Sequence, residues 1–293
     1  MLLACVLNGG AVNGVTCFSA HRFKGLTVLD KGPRSLTPDL NQTTPPGGPQ
    51  GTASDIFFNP SSTALFATIK GDPGSTPPMP GSIFAWPVIR GAVSTNSVVT
   101  KISDIFLDFG SVFLGSDSSF FVTDPSFGGS ILDVSPTLQI TERAHIDIPN
   151  NLLMCWTVYV PWFDSVYAID ARTTIITSIN PVTGVINSQF SFDSSLVSGL
   201  DTAVDRTWMY VLTGSGAIAV INLAGSNSGT VPSQVQALDL SGLAEAHSLQ
   251  GMAIYPSRAE KSGDYGIENG EADGEHGNSG DNWINGHGYH WQA

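Results

Sequence analysis

Residues 55–69 read DIFFNPSSTALFATI: a short apolar strand, the turn Asn59-Pro60-Ser61, and a second strand rich in β-branched and aromatic residues. The same unit returns as GSVFLGSDSSFFVTD at 110–124, WTVYVPWFDSVYAID at 156–170 and DTAVDRTWMYVLT at 201–213. Its first half returns once more as GMAIYPS at 251–257. The units begin 55, 46, 45 and 50 residues apart. A four-stranded blade repeats at about 40 to 50 residues, so the spacing predicts an all-β chain folded as a β-propeller, with about five blades visible. The strands assigned to successive blades are 54–59, 63–69, 82–88 and 95–102; 109–114, 119–124, 130–135 and 139–147; 154–160, 165–170, 174–179 and 185–191; and 200–205, 208–213, 216–222 and 233–239.

Composition agrees with one large β domain over residues 1–257. Charged residues are 13 % of the chain and hydrophobic ones 41 %, with 32 Gly and 18 Pro, which suits many short strands joined by tight turns. No apolar run approaches the roughly 20 residues that span a bilayer, so no membrane span is expected. The net charge of −13 repels phosphate backbones and argues against nucleic acid as a partner. Residues 258–293 differ from the rest: eight Gly, seven acidic and two basic side chains, and few aliphatics. Such a segment buries too little apolar surface to offset chain entropy and reads as a disordered tail. His276, His287 and His290 in it are weak candidates for loose metal binding.

Both ends of the repeat are incomplete. The segments 2–7, 15–21 and 25–30 read as three strands of a blade without its inner strand, and 250–256 reads as an inner strand without its blade. Either 250–256 closes onto the N-terminal strands, or the intact protein carries further N-terminal blades and this chain begins at an internal Met. The opening MLLACVL has no basic residue ahead of it and makes a poor signal peptide. Cys5 and Cys17 flank residues 8–13 symmetrically about Ala11, so a hairpin folded there sets them opposite each other. They are either a disulfide or, the commoner case, two small buried side chains. Asn41-Gln42-Thr43 is an N-glycosylation sequon in a Pro/Gly-rich loop.

In a propeller the inner strands converge, and function is sought at their mouth. Aligned inner-strand starts put Asp55, Gly110, Trp156, Asp201 and Gly251 in one ring, with Ser54, Phe109, Cys155, Leu200 and Gln250 just before them. Lys70 and Asp124 end second strands toward the same mouth, and Phe127 lies in the 124–129 loop there. Long loops at 43–52, 71–81, 124–129, 148–153 and 243–249 crowd that face, as a binding mouth would. The candidate substrate-binding set is Asp55, Asp124, Phe127, Cys155, Trp156 and Gln250; the candidate catalytic set is Asp201, Lys70 and His247. Asp55 and Asp201 either orient a ligand or cap backbone N–H groups between blades. Trp156 either stacks on a ligand or, the commoner case, fills the core between blades. Lys70 is either a solvated rim charge or an electrostatic partner for a ligand oxygen. His247 is a candidate acid or base.

There is no G-x-S-x-G, no G-x-x-x-x-G-K-[ST], no H-E-x-x-H and no zinc-spaced Cys pair. Residues 1–257 contain only two glutamates, Glu142 and Glu245, neither on an inner strand. Calcium-dependent lactonase propellers use a channel Glu, so a metal-dependent hydrolase is disfavoured and no cofactor or metal is expected.

The stretches TASDIFFNPSSTALFATIKGD, FLGSDSSFFVTDPSFGGSILDV, CWTVYVPWFDSVYAID, DTAVDRTWMYVLTG and LQGMAIYPS together resemble a family of fungal secreted propellers labelled 3-carboxymuconate-cyclase-like. That family includes a protein of trichothecene biosynthesis and is similar to the hetero-Diels–Alderases of tropolone sesquiterpenoid pathways. The resemblance covers about residues 2–257 and implies six or seven blades, a secreted monomer and a small apolar substrate. It implies a cofactor-independent cyclase of secondary metabolism. A non-catalytic secreted binding protein is the second reading, and a lactonase or muconate cycloisomerase the third.

Overall fold

A strand buried on both faces needs apolar side chains at consecutive positions, and the second strand of each repeat has them. A computed structural model of the chain describes residues 2–226 and 229–254. The expectations for the 258–293 tail and its three histidines, and for the last residues of the 250–256 strand, lie outside the described residues. Antiparallel strands build five sheets. The first holds β1 (Leu2–Asn8), β2 (Gly14–His21) and β3 (Gly25–Val28) in that order. The second runs β4 (Ala53–Phe58), β5 (Ala64–Ile69), β6 (Ser82–Ile89), with β7 (Ala92–Val93) and β8 (Val98–Thr100) both pairing β6. The third runs β9 (Ser111–Phe113), β10 (Ser119–Asp124), β11 (Gly128–Val134), β12 (Ile140–Asp147). The fourth runs β13 (Met154–Val160), β14 (Ser165–Asp170), β15 (Ile175–Ile179), β16 (Ile186–Ser191). The fifth runs β17 (Gly199–Asp205), β18 (Trp208–Thr213), β19 (Ala217–Asn222), β20 (Ser233–Asp239). Among the described residues the only helical turns are short 3-10 turns, so the chain is an all-β propeller-type array.

The two-residue period of a strand packs each sheet against both its neighbours. On β5, Leu65, Ala67 and Ile69 join a buried cluster with Val15 and Cys17 of the first sheet, while Ala64 and Phe66 face Phe113, Phe120 and Val122 of the third. On β10, Phe121 turns the other way, toward Val166 and Ala168 of β14. On β14, Tyr167 and Ile169 then meet Met209 and Val211 of β18. Four clusters thus fill the four junctions between successive sheets. The second junction is aromatic: Phe57, Phe66, Phe113 and Phe120 meet pairwise at centroid distances of 5.3 to 5.9 Å. Exposure rises outward, so that β3 and most of β20 are solvent-exposed.

The N-terminal hairpin pairs Cys5 with Cys17, and the two are joined as a disulfide with 4.1 Å between Cα atoms. Arg34 ties this sheet to the second one: it binds Asp30 through its two terminal guanidinium nitrogens and donates to the carbonyls of Val93 and Ser94. Of the two arrangements expected for 250–256, closure onto the N-terminal strands is not seen among the described residues. Residues 251–254 form no strand with β1 or any other described segment. β1 stands at the edge of the first sheet, and residues 251–254 do not pair with it. The amide of Met252 bonds instead to the Asp201 carboxylate.

Candidate functional site

The inner strands are irregular where they begin. Register shifts fall between Ala53 and Ile56, between Met154 and Trp156, and between Gly199 and Asp201. Such bulges re-aim side chains at a strand end. Ala53, Ser54, Phe109, Trp156, Leu200, Asp201, Gln250 and Gly251 surround a pocket of about 310 Å³, with Lys70 from the end of β5 in its wall. The two aligned rows at the inner-strand starts therefore supply most of the lining.

Lys70 is 6 % exposed. Its Nζ lies 4.2 Å from the centroid of the Phe109 ring and 3.4 Å from the Ala53 carbonyl oxygen. Burial holds its pKa below the ordinary lysine value, opposed first by the charge of Asp108 and then by Cys155 and Asp55. The Trp156 indole meets Phe109 edge-to-face at 5.1 Å and also packs on the cluster between the fourth and fifth sheets, so it is both core and wall. Its buried Nε1 has no hydrogen-bond partner among the described residues.

Asp108 is the residue that sequence reasoning missed. It sits on no strand, in the segment before β9, and is fully buried. Neither carboxyl oxygen has a hydrogen-bond partner in another described residue, and only its own backbone amide acts on it. Burial pushes its pKa well above the usual carboxylate range; Lys70 opposes this and Asp124 adds to it. Its space exists because residue 81 is glycine: a Cβ there would stand 2.4 Å from Asp108 Oδ1. The signal in the sequence was a lone acid inside the apolar run IFLDFGSVF.

The other acids at the mouth hold backbone. Asp55, 2 % exposed, accepts from its neighbour Ile56 N–H at 2.8 Å and from Ser111 N–H of the next sheet at 3.0 Å. Asp201 repeats the device, accepting from Thr202 N–H at 2.7 Å and from Met252 N–H. Met252 therefore occupies the place that Ser111 has in the third sheet, and Gly251 the place of Gly110. Asp201 also lines the pocket and Asp55 does not.

Asp124 lies away from the lining, fully buried, accepting from the amides of Phe106, Leu107 and Ser126 at 2.8 Å each and from Ser126 Oγ at 2.6 Å. Asp170 does the same in the fourth sheet for Leu152, Leu153, Arg172 and Thr173. The structure does not bring Phe127 or Cys155 to the pocket lining either. Phe127 stacks on His145 with 3.9 Å between centroids. Cys155 is a buried free thiol, pushed up to about 12 mainly by burial, and its carbonyl accepts from Gly110 N–H and Thr123 Oγ1. Gln250 is exposed on the rim. His247 lies in a 3-10 turn, Ala246–Ser248, and its side chain is outside what is described.

No protein-family model matches the sequence, and no curated protein matches it. Solved structures do. A periplasmic gluconolactonase from Pseudomonas aeruginosa aligns with TM-score 0.54 and 16 % identity over 81 % of this chain and 67 % of its own. A candidate 6-phosphogluconolactonase from Bacteroides uniformis aligns with TM-score 0.56 and 11 % identity over 81 % of this chain and 68 % of its own. The β-propeller domain of Swd1 from Myceliophteria thermophila aligns with TM-score 0.54 and 9 % identity over 79 % of this chain and 66 % of its own. The fold is that of these β-propellers, and the chain spans about two thirds of the length of each. No helix among the described residues is long and apolar enough to cross a membrane.

Proposed function

We propose that this propeller binds a small, mostly apolar, oxygen-bearing molecule at its inner-strand mouth and promotes its cyclisation without a cofactor. The observation that carries the reading is the pairing of Lys70 with Phe109, Trp156 and Leu200 in one pocket. A pocket with apolar walls and a single cationic side chain orients an apolar skeleton by its oxygen. Holding the reacting ends together removes much of the entropic barrier. A hydrogen bond from Lys70 to a carbonyl or quinone-methide oxygen then stabilises charge that develops there, more strongly than in water because the site is desolvated. This agrees with the resemblance to hetero-Diels–Alderase-like propellers of fungal secondary metabolism. A secreted glycoprotein fits the same reading: Asn41 is exposed, and the Cys5–Cys17 disulfide suits an oxidising compartment.

The test uses two probes. Calorimetry with β-ionone, an apolar conjugated ketone, is expected to show binding that weakens at least tenfold in Lys70→Met and Trp156→Leu. Equal affinity in all three proteins overturns the site. An o-quinone methide generated in situ with styrene is expected to give a stereochemically biased cycloadduct with the protein. A racemic adduct at the background rate, with β-ionone still bound, leaves a non-catalytic binding protein.

Lactone opening is the second reading, favoured by the activities named for two of the structural neighbours. A polyhydroxylated lactone needs many hydrogen-bonding groups, and this lining offers few besides Ser54, Lys70, Asp201 and Gln250. Hydrolysis of glucono-δ-lactone that is lost in Lys70→Met would replace the cyclase reading with this one.

A further inference from the structure

Lys70 combines three features that a rim charge lacks. Its side chain is almost wholly buried yet reaches the pocket wall. Its amine makes one long hydrogen bond, 3.4 Å to the Ala53 carbonyl, and no ion pair among the described residues. An aromatic face stands 4.2 Å away on Phe109, ready to receive a cation. Resting on the reading of the pocket as a small-molecule site, we propose that Lys70 is a nucleophile that captures an apolar aldehyde or ketone as a reversible iminium.

The step balances without a co-reactant. The Lys70 ammonium gives up one proton, and the freed lone pair attacks the carbonyl carbon while the C–O π pair moves to oxygen. The nitrogen gives up a second proton as the carbinolamine forms, the oxygen takes up two in all and leaves as water, and the iminium carries the same single positive charge the ammonium had. Water reverses the sequence and releases the carbonyl compound. A lysine desolvated in an apolar pocket reaches the amine form more readily than one in water, which is how such nucleophiles are activated. Burial lowers the pKa of Lys70 in this sense, and Asp108 first, then Cys155 and Asp55, work against it. None of these three lines the pocket; the acid there is Asp201, with both oxygens engaged by amides.

Asp108 is the charge that acts most on Lys70, and its fully buried carboxyl has no hydrogen-bond partner in another described residue. It is a positioning residue that acts on the Lys70 amine through its charge; no proton passes through it. An iminium of a conjugated carbonyl withdraws electrons more strongly than the parent carbonyl, so capture by Lys70 would activate the ligand for the cyclisation proposed above.

The experiment treats the full chain with cinnamaldehyde and sodium cyanoborohydride at pH 7 and maps the reductively trapped lysines by peptide mass. Lys24 and Lys31 are exposed and serve as internal references. Lys70 is expected to label at least tenfold faster than either, despite its burial. Lys70→Arg should abolish the fast label, and Asp108→Asn should shift the pH of half-maximal labelling of Lys70. Labelling of Lys70 no faster than Lys24 and Lys31, with β-ionone still bound, overturns the iminium alone. Absence of both labelling and β-ionone binding overturns the site as well.

Discussion

Asp55→Asn keeps the size and shape of the side chain and removes its charge. In the native protein the carboxylate spans two sheets, one oxygen on the Ile56 amide and the other on the Ser111 amide, at 2 % exposure. An asparagine retains one acceptor oxygen and turns an NH₂ group toward the second amide, so one charge-assisted bond is lost and two donors face each other. Bonds to charged groups contribute about 1.5 to 3 kcal/mol, and a buried donor left unpaired costs about 1 to 3 kcal/mol. Overlap between these terms leaves an expected loss of about 2 to 3 kcal/mol. Asp201→Asn makes the same change at a half-buried position where water replaces the lost acceptor, and about 1 kcal/mol is expected. The assay is equilibrium urea unfolding followed by tryptophan fluorescence, with the slope checked for constancy. At a slope of about 2 kcal/mol per molar, the Asp55 variant moves the midpoint by about 1 M and the Asp201 variant by about half that. Equal midpoints for the two variants, or an Asp55 variant as stable as wild type, would refute the claim that this carboxylate fastens the second sheet to the third.

Three further outcomes are expected. Phe120→Ala opens the four-ring cluster between the second and third sheets and should cost about 3 to 5 kcal/mol in the same urea assay; a loss under 1 kcal/mol would mean that the junction collapses freely. Asp108 has a folded pKa above its unfolded one, so the folded state binds more protons and stability falls as pH rises from the unfolded carboxylate value toward the raised one. Asp108→Asn should therefore be more stable relative to wild type at pH 7.5 than at pH 4, and an identical difference at both would show that the carboxyl ionises freely. The Cys155 thiol, pushed up to about 12 and buried, should not react with Ellman's reagent at pH 8 until urea is added, when one thiol per chain should titrate; three would mean that Cys5 and Cys17 are unpaired.

Strand positions were readable because each second strand is covered on both faces, which imposes unbroken apolar runs such as ALFATI and SVYAID. The ring of inner-strand starts was readable for the same reason: aligning the repeats aligns their register. Register says nothing about which oxygen a carboxylate satisfies. Asp124 and Lys70 were both expected at the mouth, yet Asp124 is one of a pair, with Asp170, that caps the loop entering its own blade. Lys70 stands one position past β5, its amide still bonded to the Thr52 carbonyl, and it reaches the pocket. Asp108 was invisible because its burial depends on Gly81 and the neighbouring sheet, which lie outside its own segment. The 251–254 segment carries the inner-strand pattern but does not pair with β1, and only its bond to Asp201 marks the blade position. The Cys5–Cys17 pair was legible as a geometry and left open as a bond; the hairpin register supplied the rest.

Photo-crosslinking with a diazirine derivative of β-ionone, followed by peptide mapping, tests the mouth as the ligand site most directly. The expected crosslinks fall on segments distant in sequence: 53–54, 109, 156, 200–201 and 250–251. Crosslinks concentrated instead on the exposed outer strands, such as β3 and β20, would contradict a site at the inner-strand mouth.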